Sequence, residues 1–89
     1  MVSYQINVYG RVQGVGFRWF TQQAAERHHI SGWVQNKADG SVEMAIQGET
    51  AAIDRFLAII AAGPGAYSHV TQLVKTPIAP FEGKNFTIR

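Results

Sequence analysis

Near the start of the chain Tyr4, Ile6 and Val8 alternate with Gln5, Asn7 and Tyr9. That is the period-two pattern of a strand with one buried face, and Gly10 ends it. From Phe17 the period lengthens. Phe17, Phe20, Thr21 and Ala24 fall on one helical face while Gln22, Gln23, Glu26 and Arg27 can face water, which predicts a helix ending near His28 or His29. Residues 30–37 read as a second strand, and Ala38, Asp39 and Gly40 supply turn chemistry for a hairpin into Val42, Met44 and Ile46. Thr50 is placed to cap a second helix, in which Ile53, Phe56, Leu57 and Ile60 recur at helical spacing until Gly63, Pro64 and Gly65 stop it. Residues 70–75 read as a fourth strand. Phe86 and Ile88 mark a short fifth one after a loop over 77–83, whose prolines suit a sheet edge.

The order βαββαβ with a small added strand predicts an α+β, ferredoxin-like sandwich: one antiparallel sheet with two helices on one face. In a split βαβ unit, strands one and two run parallel with another strand between them, so their carboxyl ends emerge at the same edge. Gly10 and Asn36 then become neighbours, with backbones separated by roughly 10 Å.

Composition narrows the class. Eighty-nine residues, 46% hydrophobic and only 16% charged, fit a single compact domain over residues 1–89 and argue against disorder. No apolar run approaches the roughly 18 residues of a membrane span. The opening segment lacks the cationic start and continuous apolar core of a secretory signal. With no cysteine, a cytoplasmic protein without disulfide or thiolate chemistry is expected. A net charge of +2 is too small to indicate nucleic acid by itself. Its distribution says more: the first carboxylate is Glu26, so Arg11 and Arg18 precede any acidic side chain, and that segment could hold an anion.

Between strand one and helix one stand Gly10, Gly14 and Gly16, three glycines in a β-to-α connection. Glycines let several peptide N–H groups converge on one point, and the adjacent helix start adds unpaired donors and a positive dipole. Such a concavity binds phosphate. Arg18, in the first helical turn, could direct its planar fork to two oxygens of the same anion. Neither nucleotide fingerprint is present: Gly14 and Gly16 lack the third glycine of the dinucleotide pattern, and no Gly-Lys-Ser/Thr follows. The plainer reading is a tight turn followed by a solvated arginine, with Asn36 merely starting the 37–40 turn.

The run VYGRVQGVGFR, residues 8–18, resembles the first acylphosphatase signature at every position, and GWVQNKADGSVEMAIQG, residues 32–48, resembles the second with its spacing intact. The resemblance implies a small hydrolase of acyl phosphates. It implies that Arg18 binds the substrate phosphate, that the backbone amides of Gln13, Gly14, Val15, Gly16 and Phe17 form the cradle, and that Asn36 positions the attacking water. The chemistry is reasonable for such residues. A carboxylate leaving group, with a conjugate-acid pKa of only about 4, needs no general acid. The harder task is to hold a charged phosphoryl group in line with water.

The expected ligands are therefore a small acyl phosphate, with inorganic phosphate or sulfate competing. No cofactor, metal, nucleic acid or membrane is expected, and the chain is expected to be a monomer. His28, His29 and Glu26 have poor spacing for a metal site. Trp19, Phe20 and Trp33 could form a base-stacking platform as in RNA-binding modules of this fold, but residues 41–48 lack the basic and aromatic pattern such modules carry. Two rivals remain: a noncatalytic phosphate-binding module, and a phosphoryl- or carbamoyl-phosphate-handling domain related to part of a larger protein.

Overall fold

The computed structural model describes residues 1–89. Its elements are β1 (Val2–Arg11), α1 (Phe17–Arg27), β2 (Ser31–Asn36), β3 (Val42–Gly48), α2 (Thr50–Ala61), β4 (His69–Pro77) and β5 (Phe86–Ile88). The strands form one sheet in the order β4-β1-β3-β2-β5, and with the two helices they make the expected ferredoxin-like α+β fold. The alternation in β1 and β3 places Ile6, Val8, Val42, Met44 and Ile46 on one sheet face, where they meet Phe17, Ile53, Phe56 and Ile60 from the helices. Full burial of each such side chain contributes about 1.5–3 kcal/mol.

The register positions the site. Val42 of β3 pairs with Val8 of β1 on one side and with Asn36 of β2 on the other. The carboxyl ends of β1 and β2 therefore lie level across one intervening strand, as the split βαβ topology requires.

Three local expectations are corrected. Phe20 does not belong to the buried stripe of α1, which runs through Phe17, Thr21, Ala24 and Ala25; Phe20 stays 37% exposed. The seventeen-to-twenty-one step keeps to the same face, whereas the step to twenty lands on its flank. Thr50 is the first residue of α2, and the extended Glu49 before it takes the cap position without a side-chain hydrogen bond. The fourth strand extends in both directions to His69–Pro77 because β1 continues to pair with it, through a bulge at Tyr9 and Gly10, as far as Arg11.

The chain after β4 must travel from one sheet edge to the other to add β5. It crosses the face away from the helices: Ile78 N–H donates to Ser3 O at 3.2 Å, and the Gln47 amide both donates to Phe81 O at 2.8 Å and accepts from Phe81 N–H at 3.0 Å. β5 then pairs parallel to β2, which delivers Ile88 and Arg89 to the end of the sheet that carries Asn36.

Gly10 is fixed by the bulge. Its φ is +123°, and an added Cβ would sit 2.2 Å from His69 O. Gly10→Ala is expected to destabilise the fold by more than about 1 kcal/mol, seen as a lower urea midpoint; an unchanged midpoint would contradict this packing.

Candidate active site

The loop from β1 to α1 turns through Gly14 (φ 74°) and Gly16 (φ 75°), and Gly16 is the N-cap of α1 without a side-chain partner. The peptide N–H groups of Gln13, Gly14, Val15, Gly16 and Phe17 make none of the protein's loop, turn or side-chain hydrogen bonds. They are donors left over for solvent or an anion. The neighbouring side chains hold the loop down. Val12 and Phe17 are buried, Val15 packs against the core from its edge, and only the glycines are fully open.

A cleft of about 230 Å³ lies at this point, and Gln13, Gly14, Gly16, Arg18 and Asn36 line it. With Phe17, which also contributes to the wall, six of the seven residues singled out from the sequence thus come together there. Val15 does not, because its side chain turns inward. Arg18 is the one charged residue of the lining. Its Nη1 donates to the main-chain oxygen of Arg89 at 2.9 Å, so one of its five donors is engaged and the guanidinium is anchored to the end of β5.

Two contributors to the site leave no periodic signature. The Gln13 side chain donates from Nε2 to Lys37 O and to Ser41 O, each at 2.8 Å, tying the glycine loop to the turn that follows Asn36. Arg89 is the second. Its N–H donates to Val34 O at 2.8 Å, and its guanidinium lies over the Trp33 ring at 4.2 Å from the centroid, which fixes the oxygen that Arg18 meets. Both ties join residues far apart in sequence, and only the motif spacing around them could have pointed there.

The turn itself is held by Asp39, whose carboxylate accepts from the Ser41 hydroxyl and from Ser41 N–H at 2.9 Å. Those two bonds, the hydroxyl one foremost, hold the Asp39 carboxyl below its ordinary range. Their contribution to stability is present at neutral pH and fades only as pH falls through that lowered value.

Trp33 lies on the sheet face away from the helices under Arg89, whereas Trp19 and Phe20 lie on α1, ring to ring at 5.0 Å and 83°. The three aromatic rings therefore share no stacking platform. No helix is long and apolar enough to cross a membrane.

The class of protein follows from a glycine-rich β-to-α loop whose cleft brings an arginine and an asparagine together at one end of a ferredoxin-like sheet. The family model described as Acylphosphatase matches residues 4–88. An acylphosphatase of Leuconostoc mesenteroides is 46% identical over 89 residues, covering 100% of this chain and 99% of its own. The crystal structure of the Bacillus subtilis acylphosphatase superposes with a TM-score of 0.94 at 38% identity, covering 100% of this chain and 99% of that one. An acylphosphatase structure from Coxiella burnetii gives 0.93 at 30% identity, covering 99% and 92%.

The chain belongs to the acylphosphatase family. It is an enzyme that hydrolyses acyl phosphates, and the noncatalytic module is set aside.

Replacing Gln13 by Leu would remove the side-chain donor that the Lys37 and Ser41 carbonyls share, each keeping a main-chain donor from Gly40 and Lys37 respectively, and a loss of about 0.5–1.5 kcal/mol is expected from urea unfolding. No loss would mean that the tie between loop and turn contributes nothing.

Proposed function

We propose that Arg18 and Asn36 are the catalytic residues and that the amides of Gln13, Gly14, Val15, Gly16 and Phe17 hold the substrate's phosphate. One observation carries the reading: Arg18, Asn36 and a loop of uncommitted peptide donors line a single cleft.

The phosphoryl oxygens sit among the peptide N–H groups, with the Arg18 guanidinium supplying the positive charge. Asn36 cannot act as a base, since an amide has no accessible protonation near neutrality, but its oxygen accepts a hydrogen bond from water and its nitrogen donates one. It aims the nucleophile. Water attacks phosphorus in line with the bond to the acyl oxygen; the new P–O bond forms as that bond breaks, and the carboxylate departs with the electron pair. The water's proton passes to a phosphoryl oxygen of the substrate and from there to solvent, and inorganic phosphate is left in the cradle. The transition state gathers charge on the phosphoryl oxygens, which the fixed donors meet without reorganising.

On this reading the chain acts as a monomer and a single domain, needs no metal or cofactor, and is inhibited competitively by inorganic phosphate or sulfate.

Hydrolysis of a synthetic aryl acyl phosphate, with a chelator present, tests the assignment. Arg18→Gln is expected to lower kcat/KM about 100- to 1000-fold, the usual effect of removing one preorganised donor. Asn36→Ala is expected to lower kcat while the inhibition constant of inorganic phosphate changes little. Either folded variant working at the parent's rate would remove its residue from the mechanism.

A further inference from the structure

The Asn36 side chain is exposed, and its amide has no hydrogen-bond partner in the protein. Its main chain is the last of β2 and faces Val42 across the ladder. The register therefore fixes where β2 ends, while the exposed turn beyond it keeps the freedom of a strand end. Aiming a nucleophile demands more than that. A misplacement of about 1 Å between reacting groups is enough to cost about 100-fold in rate.

One side chain spans the gap. Gln13, half-buried between the buried Val12 and the open Gly14, donates from Nε2 to Lys37 O and to Ser41 O, each at 2.8 Å. These two carbonyls bracket the turn directly after Asn36. Lys37 N–H donates to Ser41 O at 2.9 Å, and Gly40 N–H donates to Lys37 O at 3.2 Å. Both hydrogens of the Gln13 amide are thus engaged, and two short bonds to opposite ends of one turn fix its orientation as well as its distance. No other side-chain hydrogen bond joins the β1–α1 loop to this turn; Arg18 is anchored to the end of β5 instead. Gln13 also carries the first of the five uncommitted peptide N–H groups, so a single residue reaches both halves of the cleft.

We propose that Gln13 is a positioning residue for the hydrolysis: its side chain sets the separation between the phosphate-binding amides and the Asn36 that aims the water. The inference rests on the reading that Asn36 holds the attacking water in this cleft. A tie that only held the fold together would change stability and leave the turnover of folded molecules untouched. A strut between two halves of a site lowers the turnover of molecules that are fully folded. Phosphate itself is gripped from the loop side alone, so its affinity depends little on where Asn36 stands, and the loss falls on the chemical step.

Gln13→Met keeps the length of the side chain and removes its donors, and the test measures benzoyl phosphate hydrolysis by variants shown to be folded by circular dichroism. Gln13→Met is expected to lower kcat about 10- to 100-fold, with KM and the inhibition constant of inorganic phosphate within about threefold of the parent's. In an Asn36→Ala background the same substitution is expected to change kcat by less than about twofold, because the group it positions is gone. An unchanged kcat in Gln13→Met overturns the proposal. So does an equal fall in both backgrounds, or a loss of phosphate affinity that matches the loss of turnover, since either puts the effect in the cradle. Should Gln13→Met not fold, Gln13→Asn, whose amide is one methylene too short to reach both carbonyls, is judged by the same outcomes. Asn36→Ala separates the two levels: the parent's kcat there removes Asn36 from the mechanism, whereas an impaired Asn36→Ala beside an unaffected Gln13→Met removes the positioning role alone.

Discussion

Five consecutive peptide N–H groups without an acceptor in the protein are the constraint around which this small fold is arranged. In a core they would be costly, since a buried unpaired donor loses its hydration with nothing in return. At the open end of a sheet they are left to solvent or an anion. Holding them there takes glycines at 14 and 16 in left-handed conformations, a buried phenylalanine on one side and a buried valine on the other. The loop is thus rigid where it is anchored and vacant where it is useful.

Asn36 lies across the cleft from this loop, and the register of the sheet puts it there. Val42 is the common partner of Val8 and Asn36, so the register of a buried central strand sets the width of the cleft. A slip by one residue would turn every core side chain of β3 to the wrong face. Burial of Met44 and Ile46 therefore enforces the geometry of the site from a distance. The Gln13 bonds to the 37–41 turn and the Arg89 bond to Arg18 then remove the remaining freedom. The side chains lining the cleft include no histidine, carboxylate or thiol. Catalysis by these groups would be a matter of placement and fixed charge, which suits a reaction whose leaving group departs as a carboxylate.

Much of this was legible in the chain. Period-two and helical spacing located every strand and both helices, and the split βαβ order alone was enough to set the carboxyl ends of β1 and β2 level across one strand. The glycine loop and Arg18 pointed through backbone physics to a candidate site, and they meet Asn36 at one cleft; the two signature runs supplied the family. What escaped had a common cause. Phe20 and Thr21 compete for one helical face, and only the position of α2 decides between them. The Gln13 side chain, Ile88 and the Arg89 oxygen reach the site through contacts between distant segments, which no local pattern encodes. The loop over 77–83 had no readable role because its path is dictated by the need to cross the sheet from edge to edge, with Gln47 as its stepping point. No local pattern sets Trp19 at the cleft, and its exposure there emerges only once α1 and β5 are side by side.

The most direct measurement is a titration of the isotope-labelled protein with inorganic phosphate, followed by the chemical shifts of its peptide amides and of the arginine Nε groups. The account requires saturable shifts that are largest at Gly14, Val15, Gly16, Phe17 and the Arg18 side chain. Saturable shifts centred elsewhere on the molecule, with these amides unmoved, would contradict it.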